Sequence, residues 1–350
     1  MRPWNRILDY GVRREISETG LSVLKEAVED SPLIAKYDPE DFDEDGFSAE
    51  EIENVLSMPM VGGVQIGGSG DSVTNDNMST AFSRINEANE EHGVTVLLEP
   101  GKPEDVENGG LDSSLLTEPD IFNKPRIWNT EDSKWINGHH RYFQQLLNGK
   151  LDEKAYGMIE GNLRDELGEK IPGGGSHLGG LTDRAVQSYM DEIGEDGAQA
   201  LARQKVDSGT VTEMYYVVNP DSTVAEVTGA DEEILSMTWG EVEADIRGMV
   251  SDLAQDGYEG MIYIESSGAL APTDFVSAAR EEIDMHGISE DTVLAYGGGI
   301  GTEETVDIFE YDTGIAEMET ADQIDEYLEA GADTVIVGNS IQDDGEEALK

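Results

Sequence analysis

The sequence predicts an α/β fold, a (β/α)8 TIM barrel in which parallel strands alternate with helices. Short apolar runs alternate with longer polar, helix-prone stretches, a pattern typical of parallel βα units. The chain has 350 residues, and barrels of this kind form one domain at about 250 residues or more. Glycine turns close the last two runs, within residues 294–300 and 335–340. These observations together favour a single barrel domain.

Eight apolar runs account for the strands of this barrel. They cover residues 33–37, 63–66, 94–98, 120–127, 214–218, 261–264, 292–296 and 334–337. About 90 residues separate the fourth run from the fifth, far more than one crossover helix needs. We therefore predict insertions after strands 4 and 7, the first at residues 142–211 and a smaller acidic one around residues 307–325. The domains are then an N-terminal helical extension, residues 1–32, and one barrel domain, residues 33–350.

The two glycine turns near the C-terminus are the first candidate ligand site. Backbone N–H groups at such turns, just before a helix begins, can hold a phosphate group, and the last two loops of a barrel are a common place for one. Taken singly, each turn is better explained as the end of a strand. Considered together, the turns indicate a phosphorylated small molecule.

The chain carries a strong excess of negative charge. It has 76 acidic and 22 basic residues, for a formal net charge of −54, yet 37% of its residues are hydrophobic, which argues against a disordered acidic chain. In molar salt the Debye length falls to about 3 Å, so self-repulsion is largely screened. We expect a halophilic protein, adapted to a salt-rich cytoplasm, in preference to one whose acidic surface binds a basic partner. Nucleic-acid binding is not expected, because no basic stripe is present.

Other features of the composition limit where the protein can be located and which chemistry it can perform. The chain has no cysteine, which excludes disulfides, thiolate metal sites and a cysteine nucleophile. Its first residues include Arg2, Arg6, Arg13 and Arg14 but no apolar stretch that suits a signal peptide or a membrane span. We expect a cytoplasmic protein. These arginines suit peripheral contact with an anionic membrane, although a helix that covers the barrel explains them better.

Polar residues at the ends of three runs are candidates for chemistry. Asp38 follows the first run and Ser69 the second, and in a barrel both strand ends lie on one face, where their oxygens could share one Mg²⁺ with a substrate phosphate. Along the sixth run the period of two places Tyr263, Glu265 and Ser267 on one side. Their polar groups together could bind a polyol. A structural turn, or a buried carboxylate satisfied by its neighbours, is the alternative at each position.

Taken together, these segments resemble the geranylgeranylglyceryl phosphate synthase family, which includes the bacterial heptaprenylglyceryl phosphate synthases. The resemblance covers roughly residues 33–345 without the insertions, and it is carried by K-Y-D-P-E (36–40), G-G-S-G (67–70), L-L-E-P-G (97–101), W-N-T-E-D-S-K-W-I-N-G-H-H (128–140), Y-Y-V-V-N-P-D-S-T-V-A (215–225), Y-I-E-S-S-G (263–268), Y-G-G-G-I (296–300) and V-G-N (337–339).

The resemblance implies a Mg²⁺-dependent prenyltransferase that joins sn-glycerol 1-phosphate to geranylgeranyl diphosphate in the synthesis of ether phospholipids. It implies that Glu265 and Tyr263 are catalytic and that Asp38 and Ser69 hold Mg²⁺. It also implies a homo-oligomer. The residues expected to hold glycerol phosphate are Lys36, Tyr263, Ile264, Glu265, Ser266, Ser267, Gly268, Gly299, Gly338 and Asn339. Lys124 and Arg126 are further candidates for the diphosphate by position alone.

Other functions stay open from the residues alone. One is a diverged phosphate-binding barrel without transferase activity, and another is a transferase with a different prenyl chain or acceptor. Glu40 is followed by Asp41 where the family usually has a basic residue, which bears on diphosphate affinity. A phosphosugar isomerase or aldolase is disfavoured, since no acid/base pair is evident at the strand ends beyond Lys36 and Glu265.

Overall fold

The computed structural model describes most of the predicted barrel. The residues described are 20–42, 46–67, 75–98, 120–122, 126–129, 134–137, 212–216, 238–266, 269–301 and 314–349. The helices are α1 (Gly20–Glu29), α2 (Ala49–Leu56), α3 (Asn75–Asn89), α4 (Trp239–Asp256), α5 (Thr273–His286), α6 (Thr320–Glu329) and α7 (Asn339–Asp344). The strands are β1 (Leu33–Tyr37), β2 (Val61–Ile66), β3 (Thr95–Leu98), β4 (Ile121–Phe122), β5 (Arg126–Asn129), β6 (Lys134–Asn137), β7 (Thr212–Tyr216), β8 (Gly260–Glu265), β9 (Thr292–Gly297) and β10 (Thr334–Val337).

All ten of these strands belong to one sheet, in the order β4-β3-β2-β1-β10-β9-β8-β7-β5-β6. Every neighbouring pair is parallel except β5 and β6, which form an antiparallel pair. Helices α4 and α5 connect successive parallel strands around β8, and α6 connects β9 to β10. The prediction of a parallel α/β sheet is thereby confirmed.

The fourth predicted run, residues 120–127, differs from the prediction. It is represented by two short strands with different partners, because β4 pairs with β3 whereas β5 pairs with β7. Pro125 stands between them in the sequence and has no N–H to give to a ladder. The antiparallel strand β6 was not predicted, and its Lys134–Asn137 segment lies within the motif that precedes the two histidines.

Residues of the sheet alternate between two apolar clusters. Ile34, Met261, Tyr263 and Ile336 belong to an inner cluster formed almost entirely by strands. Their sequence neighbours on the strands pack with the helices in a larger outer cluster. This is the arrangement that a period of two produces when both faces of a parallel sheet are buried.

Helix α1 lies across the amino-terminal ends of the strands. Its side chains Leu24 and Val28 are buried in the inner cluster, and α1 contacts β2, β3, β4, β8 and β9. Lys25 on the same helix donates from Nζ to the carbonyl of Ser289 at 3.4 Å and to that of Glu290, just ahead of β9. The helix within the predicted extension, residues 1–32, therefore covers the inner cluster at the end opposite the glycine turns.

The predicted insertions have different outcomes. The span 142–211 lies outside the described residues. Of the span 307–325, the part from Thr320 onward belongs to helix α6, whose apolar and amide side chains Ile324 and Gln323 are buried, so this part is an ordinary crossover helix with an acidic exposed face. Among the described residues, no helix is long and apolar enough to cross a membrane.

Candidate active site

Polar groups from β1, β8, β9 and β10 meet at the carboxyl ends of these strands. Lys36 lies on β1 in register with Gln65 of β2, and Glu265 lies on β8 in register with Gly297 of β9. The carboxyl ends of parallel strands share one edge of the sheet, which is where barrel enzymes place their sites. We take this edge as the candidate active site.

Lys36 runs alongside Gly338, the residue that follows β10. A Cβ atom at position 338 would lie 3.8 Å from Lys36 Cβ and 3.9 Å from Lys36 Cδ, which is ordinary van der Waals contact. The Gln342 side chain of α7 donates to the Lys36 carbonyl at 3.4 Å, while its N–H donates to the Gly338 carbonyl at 3.0 Å. The lysine is half-buried on a strand whose other side chains are buried. Its position beside the last glycine turn suits an anion held there.

Other cationic side chains that the structure describes are engaged elsewhere. Lys25 is held at the amino-terminal end of the strands, and Arg84 of α3 donates to the Phe47 carbonyl at 2.6 Å. Arg247 and Arg280 lie on the helices and form ion pairs with Glu281 and Asp333, each at 2.6 Å. Within the described side chains, Lys36 is thus the one cation at the candidate site. In a chain of charge −54 this makes it the natural partner of a phosphate.

Tyr263 occupies the floor of the site. It is 3% exposed and belongs to the inner cluster. Its ring lies over Gly297 of β9, so a Cβ atom there would meet the phenol oxygen and would come within 3.0 Å of two ring carbons. Sequence reasoning singled out Tyr263 but did not identify Gly297 as the position that makes room for it. An aromatic residue two register places from a glycine on the next strand was the available signal.

Glu265 is the last residue of β8. It lies on the same face of the strand as Tyr263, which comes two residues before it. It is half-buried and lies in register with Gly297 and with Tyr216 of β7. Ile264 and Ser266 alternate to the opposite face, where Ile264 is fully buried in the outer cluster. The predictions that Ile264 and Ser266 hold substrate therefore rest on their main-chain atoms. Ser267 and Gly268 lie outside the described residues.

The Asp38 carboxylate stands at the carboxyl end of β1. Asp38 precedes the short 3₁₀ turn Pro39–Asp41, and its carbonyl accepts from the Asp41 N–H at 3.1 Å. Tyr37, on the outer face, anchors this turn by edge contacts with the rings of Phe42 and Phe47, and burial raises its pKa. The loop after β2 begins next to the end of β1, because the Gly67 N–H donates to the Tyr37 carbonyl at 3.2 Å. Ser69 lies outside the described residues.

The Asp38 carboxylate is compatible with the predicted Mg²⁺ ligand role. Mg²⁺ commonly takes one or two protein carboxylates and completes its shell with water and substrate phosphates. A single aspartate at this edge fits that chemistry. In the part of the chain that the structure describes, no three His, Cys, Asp or Glu side chains are grouped closely enough to hold a metal ion.

The turn after β9 consists of glycines that other residues could not replace. Gly298 and Gly299 have φ values of 93° and 69°, in the left-handed region. A Cβ atom at 298 would come within 2.9 Å of the Ser266 main chain, and one at 299 would lie 2.5 Å from the Leu270 nitrogen. The loops after β8 and β9 therefore pack backbone against backbone, which brings Gly298 against Ser266 at the end of β8 and Gly299 against Ala269 and Leu270.

Side chains from α6 and α7 hold the far end of this turn. Gln323 is buried on α6 and accepts from the Gly301 N–H at 2.7 Å, while its amide donates to the carbonyls of Ile315 at 3.1 Å and Met318 at 3.3 Å. Ser340 of α7 donates to the Ile300 carbonyl at 3.3 Å. Sequence reasoning missed both residues. A glutamine at a buried helical position was the only signal for the first.

Not every predicted position could be compared with the structure. Gly338 and Asn339 form the start of α7, and Asn339 is described through its backbone alone. Lys124 lies outside the described residues, and Arg126 is described as part of β5 without its side chain. The roles assigned to all of these residues stay predictions.

Comparison with known proteins identifies the family. The PcrB family profile matches residues 189–311. A geranylgeranylglyceryl phosphate synthase of Methanospirillum hungatei is 25% identical over 279 residues, which is 79% of this chain and 78% of the relative. One of Methanoculleus marisnigri is 32% identical over 281 residues, which is 80% of this chain and 79% of the relative. The chain belongs to the geranylgeranylglyceryl phosphate synthase family.

As a member of this family, the chain is an enzyme of the prenyltransferase class. A solved structure of another member, (S)-3-O-geranylgeranylglyceryl phosphate synthase from Thermoplasma acidophilum in complex with sn-glycerol-1-phosphate, aligns with 94% of this chain and 92% of its own. Its TM-score is 0.47 and its sequence identity is 15%.

Proposed function

We propose that this protein transfers a geranylgeranyl group from its diphosphate to the C3 hydroxyl of sn-glycerol 1-phosphate. The observation that carries the proposal is the placement of Lys36 beside Gly338 and of Glu265 at the carboxyl end of β8, on the same strand face as Tyr263. A lysine next to a glycine turn suits a phosphate, and a carboxylate nearby suits a hydroxyl. Membership of the synthase family supports the same substrates.

Each described residue has a distinct role in this reaction. Lys36 would bind the phosphate of the acceptor together with main-chain N–H groups at Gly299, Gly338 and Asn339. Glu265 would accept a hydrogen bond from the C3 hydroxyl and take its proton as the oxygen attacks C1 of the prenyl chain. The new C–O bond replaces the bond from C1 to the diphosphate, which leaves. Tyr263 would form the base of the site and exclude water from the carbocation-like C1 of the prenyl chain.

Asp38, with Ser69, is the proposed holder of Mg²⁺. When bound there, the ion would neutralise the negative charge that develops on the departing diphosphate. The position of Asp38 at the end of β1, on the edge that carries Lys36, supports this assignment. Removing divalent ions should abolish transfer while leaving the acceptor bound.

A closed barrel is part of the same proposal. β4 and β5 are taken as the two halves of the fourth strand. The pairing of β4 with β3 and of β5 with β7 supports closure, because two segments that are close in the sequence then pair with strands near opposite ends of the sheet order. A cytoplasmic homo-oligomer with an insertion at 142–211 stays a prediction from the sequence.

The experiment is prenyl transfer from radiolabelled geranylgeranyl diphosphate to sn-glycerol 1-phosphate in molar KCl. Wild type is compared with Glu265→Gln, Lys36→Ala and the matched control Lys25→Ala, whose lysine lies at the opposite end of the strands. We expect a lipid-soluble product that requires Mg²⁺, is lost in Glu265→Gln, and persists in Lys25→Ala. For Lys36→Ala the acceptor KM should rise at least tenfold, as for a lost charged hydrogen bond. No product from wild type would overturn the transferase proposal.

A further inference from the structure

The Tyr296 phenol lies directly behind the turn that carries Gly299. Tyr296 belongs to β9 but faces the outer cluster, where it is fully buried and its ring stacks on that of Tyr327 with centroids 3.6 Å apart. Its phenol oxygen lies 2.8 Å from Ser266 Oγ, 3.0 Å from the Ala271 nitrogen and 3.2 Å from the Gly298 carbonyl oxygen. One phenol therefore joins the loop after β8 to the turn after β9.

The hydrogen count of this group limits the possible directions of its bonds to two arrangements. The Ala271 N–H donates to the phenol oxygen, and the phenol has a single hydrogen to give. If Ser266 donates to Tyr296, the phenol donates to the Gly298 carbonyl at 3.2 Å. If Tyr296 donates to Ser266, then Ser266 donates to that carbonyl at 3.4 Å. In both arrangements the chain of hydrogen bonds ends on Gly298, and burial raises the pKa of Tyr296 so that the phenol stays neutral.

Holding the Gly298 carbonyl also orients the next N–H group. A trans peptide is planar, and its C=O and N–H point in opposite directions; the structure contains no cis peptide bond among the residues described. The carbonyl of Gly298 is turned toward the phenol on the outer side, so the Gly299 N–H is turned away from it. Because two adjacent glycines have a flat conformational preference, the turn itself does not fix this orientation.

We propose that Tyr296 is a positioning residue for acceptor binding, which sets the orientation of the Gly299 N–H toward the phosphate and the position of the Ser266 main chain beside it. This rests on the proposed function in that the phosphate is that of sn-glycerol 1-phosphate. Tyr296 touches no substrate. It acts through the peptide group between Gly298 and Gly299, whose carbonyl it holds by hydrogen bonding on the outer side of the sheet.

The neighbouring tyrosine provides a matched control. Tyr327 shares the ring stack, is equally buried, and donates to the Ala271 carbonyl at 2.5 Å. Its hydroxyl hydrogen-bonds to Ala271 and to the Tyr296 phenol itself. Tyr296→Phe and Tyr327→Phe each remove one buried hydroxyl from the same stack and should lower the free energy of unfolding to a similar extent. A purely structural role would give both variants the same kinetic effect.

The test measures KM for each substrate in both variants, together with amide hydrogen exchange of the peptides that contain Gly299. We expect Tyr296→Phe to raise the KM for sn-glycerol 1-phosphate about tenfold, to leave the KM for the prenyl diphosphate unchanged, and to speed exchange at residues 297–301. Tyr327→Phe should change neither. Equal effects of the two phenylalanine variants, or an effect on kcat alone, would overturn the proposal.

Binding separates this proposal from the proposed reaction. If wild type gives no transfer product, the affinity for sn-glycerol 1-phosphate is measured by calorimetry in molar KCl. A tenfold weaker affinity in Tyr296→Phe than in Tyr327→Phe would then support the positioning role while the transferase proposal falls. Equal affinities in the two variants, or no binding by wild type, would overturn the positioning role as well.

Discussion

Gly297 is a residue at which one added methyl group should be costly. Gly297→Ala would place a Cβ atom against the Tyr263 phenol, in an interior that tolerates little extra volume. We expect a loss of about 1–3 kcal/mol in the free energy of unfolding, typical of overpacking, and a larger fractional loss of transfer activity because Tyr263 must move. Chemical denaturation and the transfer assay measure the two effects.

A second glycine gives a control in which the same substitution should raise the free energy of unfolding. Gly248 lies in the middle of α4, and a Cβ atom there meets nothing within 4 Å. Gly248→Ala should stabilise the protein by about 0.5–1 kcal/mol through helix propensity and leave activity unchanged. If the two alanine variants behaved alike, the contact between Gly297 and Tyr263 would not be the cause. Adding Tyr263→Phe to Gly297→Ala should restore part of the stability but none of the activity.

Gln323 concentrates three hydrogen bonds in one buried side chain. Gln323→Leu would keep its volume but leave the Gly301 N–H and two carbonyls without their partner. The expected loss is about 1–3 kcal/mol, the usual cost of buried groups left unsatisfied. The exposed Gln255 of α4, which donates to Ser251 Oγ at 3.3 Å, gives the matched control, and Gln255→Leu should change stability by less than about 0.5 kcal/mol. Urea denaturation of both variants measures the two changes in the free energy of unfolding.

At the scale of elements, the capping box of α2 makes stability depend on pH. The Ser48 hydroxyl accepts from the Glu51 N–H at 3.2 Å, and Glu51 accepts in return from the Ser48 N–H at 2.8 Å. The side-chain and main-chain hydrogen bonds from Ser48 lower the pKa of Glu51 from its ordinary value of 4.5. Because the folded pKa is depressed, the stabilisation is present above the unfolded pKa and is lost as pH falls through the folded one.

Ser48→Ala and Glu51→Gln test this cap. Ser48→Ala should lower the free energy of unfolding at neutral pH by about 1 kcal/mol, the usual value of an N-cap. Its deficit should shrink as the pH falls below about 4.5, where wild type loses the charged half of the box. Glu51→Gln should show a flatter pH dependence than wild type. A deficit of constant size across this range would mean that the carboxylate contributes nothing.

The strands were more predictable than the site, for physical reasons. Buried parallel strands produce apolar runs that can be read locally, and β1 and β10 match their predicted bounds. The fourth run could not be divided from sequence alone, since β4 and β5 are defined by different partners on opposite sides. Likewise Tyr263 and Glu265 could be placed on one face by their period of two. Tyr296 and Gln323 could not be found, because their importance comes from contacts with residues of other loops.

At the scale of the whole molecule, net charge is the dominant electrostatic feature. At a formal charge of −54 the folded state should be destabilised by self-repulsion in dilute buffer. The melting temperature should therefore rise with KCl and level off near molar concentrations, where the Debye length is about 3 Å. Sucrose at matched osmolality is the control, because it favours compact states without screening charge. An equal rise in both solutes would show that screening is not the cause.

The position of α1 has a consequence for synthesis on the ribosome. The apolar side of this helix packs on β8 and β9, and Lys25 is separated from its partner Ser289 by 264 positions. At about 5–20 residues per second, on the order of half a minute passes between translation of the helix and translation of the strands that cover it. During that interval Leu24 and Val28 lack the part of their native surface that β8 and β9 supply. Nascent chains of this protein should therefore offer an apolar segment to chaperones early, and release it only when the ninth strand has emerged from the exit tunnel.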